Sequence, residues 1–292
     1  MHRTKAILIL LLATLPLASA EFSGAAALEY TAKAVSFGPR PPGSKAHARL
    51  QAYILGELKK LHCRVVEDDF TAGTPRGKIA MKNIIARFHG TTGRKVVVTG
   101  HYDTKWFTGM KFVGANDGGS STGFLLELAR AINGRQLKHE VILVWFDGEE
   151  AFRHWSSADG IYGSRHLAER WSREKVLPLV IALINVDMIG DRDLGILEEQ
   201  YSARSLTRLI WRTAKKLGYG DHFLNRRGAV EDDHIPFLKK GVTAADLIDF
   251  DYGPLNKYWH TEQDTMDKLS AQSFEIVGKV ILAVIEKLEQ RK

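Results

Sequence analysis

The segment VILVWFDGEE, residues 141–150, joins six apolar residues to an aspartate, a glycine and two adjacent glutamates. A continuous apolar run of this length, rich in β-branched and aromatic residues, is typical of a strand that is buried on both faces. Two acids in an exposed turn would need no explanation. Glu149 and Glu150 instead stand where a core strand ends, and acids in that position indicate a functional site.

Similar apolar runs alternate with helical patterns along the rest of the chain. The predicted strands are 63–70, 79–90, 95–100, 141–146, 179–186 and 242–248. The predicted helices start at Ser44 or cover about 121–132, 163–171, 205–217, 233–239 and 274–288. This alternation predicts a single α/β domain, residues 21–292, whose central, twisted, mostly parallel mixed sheet is flanked by helices.

The first twenty residues, MHRTKAILILLLATLPLASA, have the pattern of a secretory signal peptide. Arg3 and Lys5 precede an apolar run, Ala6–Leu17, and small residues at 18–20 form a cleavage site. The run is short for a membrane-spanning helix, so an uncleaved anchor is the less favoured alternative. We predict a secreted or periplasmic protein with no membrane span after cleavage.

Charge and cysteine content limit the partners and cofactors that the sequence supports. The formal net charge is +7 and falls to +5 when Arg3 and Lys5 are removed, and the basic residues form no stripe. A nucleic-acid partner is therefore not expected. Separately, we expect the protein to be a monomer. Cys63 is the only cysteine, so neither an internal disulfide nor a multi-cysteine metal site can form.

Residues that can bind a metal lie after the predicted inner strands or in the loop that precedes a helix. In open parallel sheets, ligands bind at the carboxyl ends of the strands. The residues that the sequence delivers to this edge are His101, Asp117, Glu149, Glu150, Asp187 and His260. Any one of these acids alone would be interpreted as a helix cap or a surface turn. Together, two imidazoles and several carboxylates favour zinc over calcium or magnesium, which prefer oxygen ligands.

The paired glutamates can then perform two different tasks. Neighbouring residues that leave a strand point in different directions, so one carboxylate can bind the ion while the other faces the substrate. A partly dehydrated carboxylate near a cation can have a pKa close to neutrality, which suits a proton carrier. We assign Glu150 to the metal and Glu149 to proton transfer.

The motifs HYDT, GAND, DGEE, NVDMIG and WHT resemble, in this order, the metal-bearing segments of the zinc-dependent aminopeptidase superfamily. Two longer blocks, DGEEAFRHWSSADGIYGSRHLA (147–168) and VEDDHIPFLKKGV (230–242), are similar to its glutaminyl-peptide cyclotransferase branch, as is KYWHT (257–261). The resemblance covers nearly all of the chain after residue 20. It implies a zinc exopeptidase-like fold and the conversion of an N-terminal glutamine to pyroglutamate with release of ammonia.

The resemblance also implies the roles of individual residues. In the cyclotransferase branch, one zinc ion would be bound by Asp117, Glu150 and His260, and Glu149 would be the proton shuttle. The substrate would be the N-terminus of a peptide or a protein.

Further residues would complete the substrate pocket. The resemblance implies that Asp187 and Asp232 form a hydrogen-bonded acidic pair that assists catalysis beside Glu149. Trp155 and Trp259 would line the pocket. Glu231, which stands where cyclases resembling the animal enzymes have a glutamine, would also contact the substrate.

Two other functions are compatible with the same motifs. In a secreted two-zinc aminopeptidase, His101 and Asp187 would hold a second ion bridged by Asp117, and Asn185 resembles the peptidases. The bulky stretch Ala151–Trp155 instead suits the closed, water-poor pocket of a cyclase. The third alternative is a metal-free binding protein, which the intact set of predicted ligands makes the least favoured.

Overall fold

The computed structural model describes residues 21–290, so the predicted signal peptide lies outside the described residues. The helices are α1 Gly24–Val35, α2 Lys45–Leu58, α3 Gly119–Ile132, α4 Tyr162–Arg173, α5 Arg204–Lys216, α6 Ile235–Leu238 and α7 Ala271–Glu289. The strands are β1 Arg64–Thr74, β2 Gly77–Phe88, β3 Lys95–His101, β4 Glu140–Phe146, β5 Val180–Asp187, β6 Ile196–Glu199, β7 Phe223–Gly228 and β8 Ala244–Ile248.

Six strands form the central sheet in the order β1-β2-β4-β3-β5-β8. The four strands β4, β3, β5 and β8 run parallel, whereas β1 and β2 form an antiparallel hairpin at one edge. The predicted α/β fold with a mostly parallel mixed sheet is therefore confirmed. The strands β6 and β7 form a separate parallel pair.

Successive residues of the inner strands face opposite sides of the sheet, and each side has its own apolar core. Val96 and Val98 of β3 belong to a core that includes residues of α1, α2, α3, α5 and α7. Val97 between them belongs to a second core with residues of α4 and α6. All three valines are fully buried, and such burial stabilises the fold by about 1.5–3 kcal/mol for each side chain. Helices on both faces explain the continuous apolar strands.

Local signals fix the starts of two helices near the future site. Ser44 accepts a hydrogen bond from the His47 amide through Oγ at 3.1 Å and caps α2, as the sequence predicts. Gly118 precedes α3 with φ +77°, and a Cβ added there would lie 2.2 Å from the carbonyl oxygen of Asp103. The turn that leads into α3 therefore requires glycine.

Helix α1 and the pair β6–β7 are absent from the sequence-based prediction. The buried face of α1 consists of small residues, among them Ala27 and Ala34, so its apolar pattern is weak. Strand β6 has only four residues, and its partner lies more than twenty residues further along the chain.

No helix within residues 21–290 is both long enough and apolar enough to cross a bilayer.

Candidate active site

The carboxyl edge of the sheet brings three predicted metal ligands to one point. Asp117, Glu150 and His260 offer ligand atoms that all lie within 4.8 Å of one another. Nε2 of His260 lies 2.9 Å from Oε1 of Glu150 and 3.2 Å from Oδ2 of Asp117. These residues come from the loop before α3, the turn after β4 and the segment after β8.

The donor atoms at this point fit a divalent cation. Oδ2 of Asp117 is buried and has no aligned hydrogen-bond partner among the described residues, although it lies close to His260. Burial lowers the pKa of His260, but the carboxylates of Glu150 and Asp117 outweigh burial and raise it to about 10. The electrostatic potential at the site is therefore strongly negative. Two carboxylates and one imidazole, with room for a fourth ligand, match the preferences of catalytic zinc.

Surrounding residues hold these side chains in place. Asp264 accepts hydrogen bonds from the amides of Asn116 and Asp117, at 2.8 and 3.2 Å, and from the hydroxyl of Tyr252 at 2.8 Å. His260 has the left-handed φ of +54°, and its ring stacks on that of Trp259 with centroids 4.0 Å apart. The ligand cluster is thus fixed by packing and by backbone hydrogen bonds.

Glu149 lies beside this cluster and faces the same pocket. The carboxylate of Asp103 accepts hydrogen bonds from the amides of Glu149 and Glu150, at 3.1 and 3.4 Å, and so orients the turn. Burial raises the pKa of Glu149 well above its ordinary value; Glu150 and Asp232 raise it further, and His101 opposes them. A carboxyl group in this environment can hold and release a proton near neutral pH once a cation is close.

A second group of donor atoms adjoins the first. His101, Asp117 and Asp187 also offer ligand atoms within 4.8 Å of one another, so Asp117 belongs to both groups. Nε2 of His101 lies 3.2 Å from Asp187 and 3.3 Å from Asp117, and Nδ1 lies 3.4 Å from Asp103. Burial raises the pKa of Asp187 to about 7, although His101 opposes this. The arrangement allows a second ion with Asp117 as the bridge.

The two acids that the resemblance pairs, Asp187 and Asp232, line the same pocket. Asp187 contacts His101, and Asp232 accepts from Nδ2 of Asn185 at 2.9 Å. The Asn185 amide also donates to Asp246 at 3.1 Å, because it lies between two buried acids on neighbouring elements. The Asn185 amide thus bridges Asp232 and Asp246, while Asp187 and Asp232 both line the pocket. The pairing of Asp187 with Asp232 stays a prediction.

The residues predicted to contact substrate line one pocket with a volume of about 420 Å³. Trp259 packs against Phe250, with ring centroids 5.0 Å apart, and forms an aromatic wall beside His260. Trp155 is 41% exposed and stands at the mouth, where its Nε1 donates to Oε2 of Glu231 at 3.5 Å. The pocket is therefore deep and acidic at the ligand cluster and aromatic towards solvent.

Comparison with known proteins places this fold and site in a family. The family model described as Peptidase family M28 matches residues 83–285, more than half of the chain. The chain belongs to peptidase family M28. The M28 chain is 31% identical over 269 residues to a Drosophila melanogaster protein named glutaminyl-peptide cyclotransferase, with 83% of this chain and 75% of that protein covered.

Solved structures agree with the family. A crystal structure of an Acidobacteriales bacterium glutaminyl cyclase has a TM-score of 0.91 and 39% identity, covering 96% of the M28 chain and 99% of its own. A Zn-dependent exopeptidase from Parabacteroides distasonis has a TM-score of 0.83 and 27% identity, covering 94% and 100%. The resemblance seen in the sequence, to the cyclotransferase branch of a zinc-dependent superfamily, is confirmed.

Two residues that shape the site of the M28 chain were missed by sequence reasoning. Asp103 belongs to the quoted motif HYDT, so its position after β3 was a usable signal. Asp264 follows the terminal WHT by three residues in a polar stretch, and no local pattern distinguishes it from an exposed loop acid. Both acids are fully buried, and both accept hydrogen bonds from the backbone of metal-ligand candidates.

Proposed function

We propose that this M28 protein is a zinc-dependent glutaminyl-peptide cyclotransferase that converts N-terminal glutamine to pyroglutamate and releases ammonia. The observation that carries the proposal is a buried, unligated Glu149 beside the Asp117–Glu150–His260 cluster at the base of an aromatic pocket. The names of the similar proteins support the same activity.

Asp117, Glu150 and His260 would hold the zinc ion. When bound there, zinc supplies a Lewis acid that polarises the side-chain amide carbonyl of the substrate glutamine. In the reaction, the α-amino nitrogen of the substrate attacks the amide carbon, and the bond from that carbon to the amide nitrogen breaks. Glu149 accepts the proton that the α-amine loses and delivers it to the departing ammonia.

The other acids in the pocket would support this proton transfer. The negative charge of Asp232 adds to the effect of burial in raising the pKa of Glu149, so Glu149 can keep the proton between the two steps. Asp187, with a pKa of about 7, lies at the same wall. We assign Asp187 and Asp232 to catalysis as groups that tune and orient Glu149.

The aromatic walls would bind the substrate. Because the nucleophile and the amide belong to the same residue, the pocket mainly has to fold the glutamine side chain back onto the α-amine. Trp155 and Trp259 would contact its methylene groups and exclude water that would compete with the amine. Glu231 at the mouth would contact the first peptide bond of the substrate.

A two-zinc aminopeptidase is the second candidate function, and one observation favours it. The His101–Asp117–Asp187 group shares Asp117 with the first group, as a two-ion site requires. We propose one ion, held by the group that contains Glu150, in agreement with the cyclotransferase branch. Elemental analysis of the purified protein tests this count, since two equivalents of zinc would favour the peptidase.

The decisive experiment offers the purified protein glutamine-initiated and leucine-initiated peptides in parallel. We expect ammonia and a cyclised product from the glutamine peptides, while the leucine peptides stay intact. Release of free amino acids from both sets would overturn the proposal. A Glu149→Gln preparation made in the same way controls for spontaneous cyclisation and for contaminating enzymes.

Export and oligomeric state are also proposals. We propose that the chain is exported after cleavage behind Ala20, because residues 1–20 have the pattern of a signal peptide. Sequencing the N-terminus of protein recovered outside the cytoplasm should then give Glu21 as the first residue. The proposed monomer would be contradicted by a dimeric mass in light scattering.

A further inference from the structure

A second cavity adjoins the substrate pocket and shares one residue with it. This cavity, with a volume of about 340 Å³, is named the Tyr201 groove and is lined by Tyr201, Glu231, Ile235, Leu238 and Lys239. Glu231 also lines the substrate pocket. A peptide whose first residue occupies the pocket and whose chain passes Glu231 therefore enters the groove.

One buried carboxylate holds the three segments that form the groove. Glu199 accepts hydrogen bonds from the amides of Tyr201 and Ser202, at 2.9 and 2.7 Å, and from the Ser202 hydroxyl at 2.9 Å. It also accepts from the Val230 amide at 3.4 Å, beside Glu231, and contacts Nε2 of His234 at 3.0 Å, immediately before α6. The loop after β6, the segment after β7 and helix α6 are thus tied to one side chain.

This support is rigid and charged. The side chain of Glu199 is 0% exposed. Burial raises its pKa, but the hydrogen bonds from His234, Tyr201 and Ser202 outweigh burial and hold the pKa below its ordinary value. The pairing of β6 with β7 adds a hydrogen bond from the Gln200 amide to the Gly228 carbonyl at 2.9 Å. A groove built on such a frame loses little conformational freedom when it binds a ligand.

The surface of the groove is apolar where the frame is polar. The side chain of Tyr201 is 48% exposed although its own amide is fixed by Glu199. Ile235 and Leu238 of α6 provide aliphatic contacts beside it. Aromatic residues held in this way are enriched where proteins bind other chains, because they offer a large contact area at a low entropic cost.

The substrate pocket has another neighbouring cavity, so two routes for the peptide must be compared. That cavity shares Arg153 and His154 with the pocket and continues to residues 73–75, at the end of β1. Its described lining residues include no large aliphatic or aromatic side chain apart from the imidazole of His154. Of the two routes, the Tyr201 groove is therefore the one that can form favourable contacts with apolar side chains of the substrate.

We propose that the Tyr201 groove binds an apolar side chain of the peptide substrate, at one of the three positions after the N-terminal glutamine. The inference rests on the proposed cyclotransferase function and extends it to substrate selection. It predicts that peptides with one correctly placed leucine are better substrates than otherwise identical alanine peptides.

The test uses C-terminally amidated tetrapeptides and the full protein loaded with zinc. Gln-Ala-Ala-Ala is compared with the three peptides in which leucine replaces one alanine. We expect kcat/KM to rise about three- to tenfold for one leucine position, as partial burial of one leucine side chain provides. We call the ratio of kcat/KM for this leucine peptide to that for Gln-Ala-Ala-Ala the leucine preference. In Tyr201→Ser the leucine preference should fall to nearly one.

Two matched variants keep the test specific. Leu217→Ser removes another half-exposed apolar side chain, at the end of α5, and Pro75→Ser alters the competing cavity. Both should retain the leucine preference. A wild-type preference near one, or a preference that survives Tyr201→Ser, overturns the inference, as does its loss in Pro75→Ser. If the wild-type protein releases no ammonia from Gln-Ala-Ala-Ala, the proposed function itself fails, which is a distinct result.

Discussion

Two buried histidine–carboxylate pairs support two different parts of the pocket. Nε2 of His47 lies 3.0 Å from Oδ1 of Asp147, and Nε2 of His234 lies 3.0 Å from Oε2 of Glu199. All four side chains are nearly or fully buried. The second contact is aligned as a hydrogen bond, whereas the first has only the distance of an ion pair. The pairs differ more in what else their carboxylates hold.

The carboxylate of Asp147 connects the catalytic turn to the sheet. Its Oδ2 accepts from the Lys82 amide on β2 at 2.7 Å and from the Tyr102 hydroxyl after β3 at 3.0 Å. Asp147 is the first residue of the DGEE turn, so these bonds also fix the origin of Glu149 and Glu150. This pair therefore supports the chemistry that every substrate undergoes.

The carboxylate of Glu199 connects only segments at the mouth. It holds the backbone around Tyr201 and Val230 and the start of α6, and it contacts neither Glu149 nor a predicted metal ligand. The comparison indicates that one fold can support reaction and substrate selection with separate buried polar groups. Four variants or conditions test this separation, from the largest expected effect to the smallest.

Glu149→Gln defines what the first region does. The amide cannot accept the substrate proton, so we expect kcat to fall by about 10²–10⁴-fold for all glutamine peptides. Zinc content should not change, because Glu150 rather than Glu149 belongs to the ligand cluster. Steady-state kinetics and elemental analysis check the two statements, and loss of the metal would show that the roles of the two glutamates are wrongly divided.

Asp147→Ala removes the carboxylate under the catalytic turn. It leaves the Lys82 amide without an acceptor and His47 without its carboxylate partner in the interior, whereas the Tyr102 hydroxyl keeps the Lys82 carbonyl at 2.6 Å. We expect the free energy of unfolding to fall by about 3–5 kcal/mol. Denaturant unfolding measures the change. Asp147→Asn, which keeps one acceptor oxygen, is the control and should lose less. An Ala variant as stable as the wild-type protein would contradict the role of this carboxylate.

Glu199→Gln weakens the frame of the groove. The glutamine amide keeps one acceptor oxygen but lacks the negative charge of the carboxylate that contacts Nε2 of His234. We therefore expect the free energy of unfolding to fall by about 1–3 kcal/mol. The leucine preference of the tetrapeptides should fall as well. If the preference stays intact while stability falls, Glu199 stabilises the fold without shaping the groove.

The smallest expected effect is the pH dependence of the contribution that Glu199 makes to the free energy of unfolding. The pKa of Glu199 is lower in the folded protein than in the unfolded chain, where it is about 4.3. Its stabilisation is therefore fully present above the unfolded pKa and is lost as the pH falls through the folded value. The stability difference between the wild-type protein and Glu199→Gln should shrink from pH 7 to pH 3, and a constant difference would contradict this sign.

The two regions also differ in how far the sequence predicts them. The turn 147–150 follows a continuous apolar strand, and strand ends in a parallel sheet share one edge, so the convergence of Asp117, Glu150 and His260 could be anticipated. The fold follows from the same alternation of strands and helices.

The groove could not be anticipated in this way. It depends on the pairing of two short strands, 196–199 and 223–228, which carry no long apolar run. Glu199 and Asp264 read as ordinary surface acids in the sequence, because their burial is produced by segments that are distant along the chain. The bridge that the Asn185 amide forms between the buried acids Asp232 and Asp246 likewise joins segments that are distant along the chain.

The Glu199 frame has a consequence for how the specificity of this enzyme could diversify. Tyr201 and Lys239 project from a backbone whose position is set by a side chain beneath it. Exchanging these two surface residues alters the chemical character of the groove while the catalytic turn keeps its own attachments. Libraries randomised at positions 201 and 239 should therefore yield folded, zinc-binding proteins with new peptide preferences at a higher frequency than libraries randomised around residue 149.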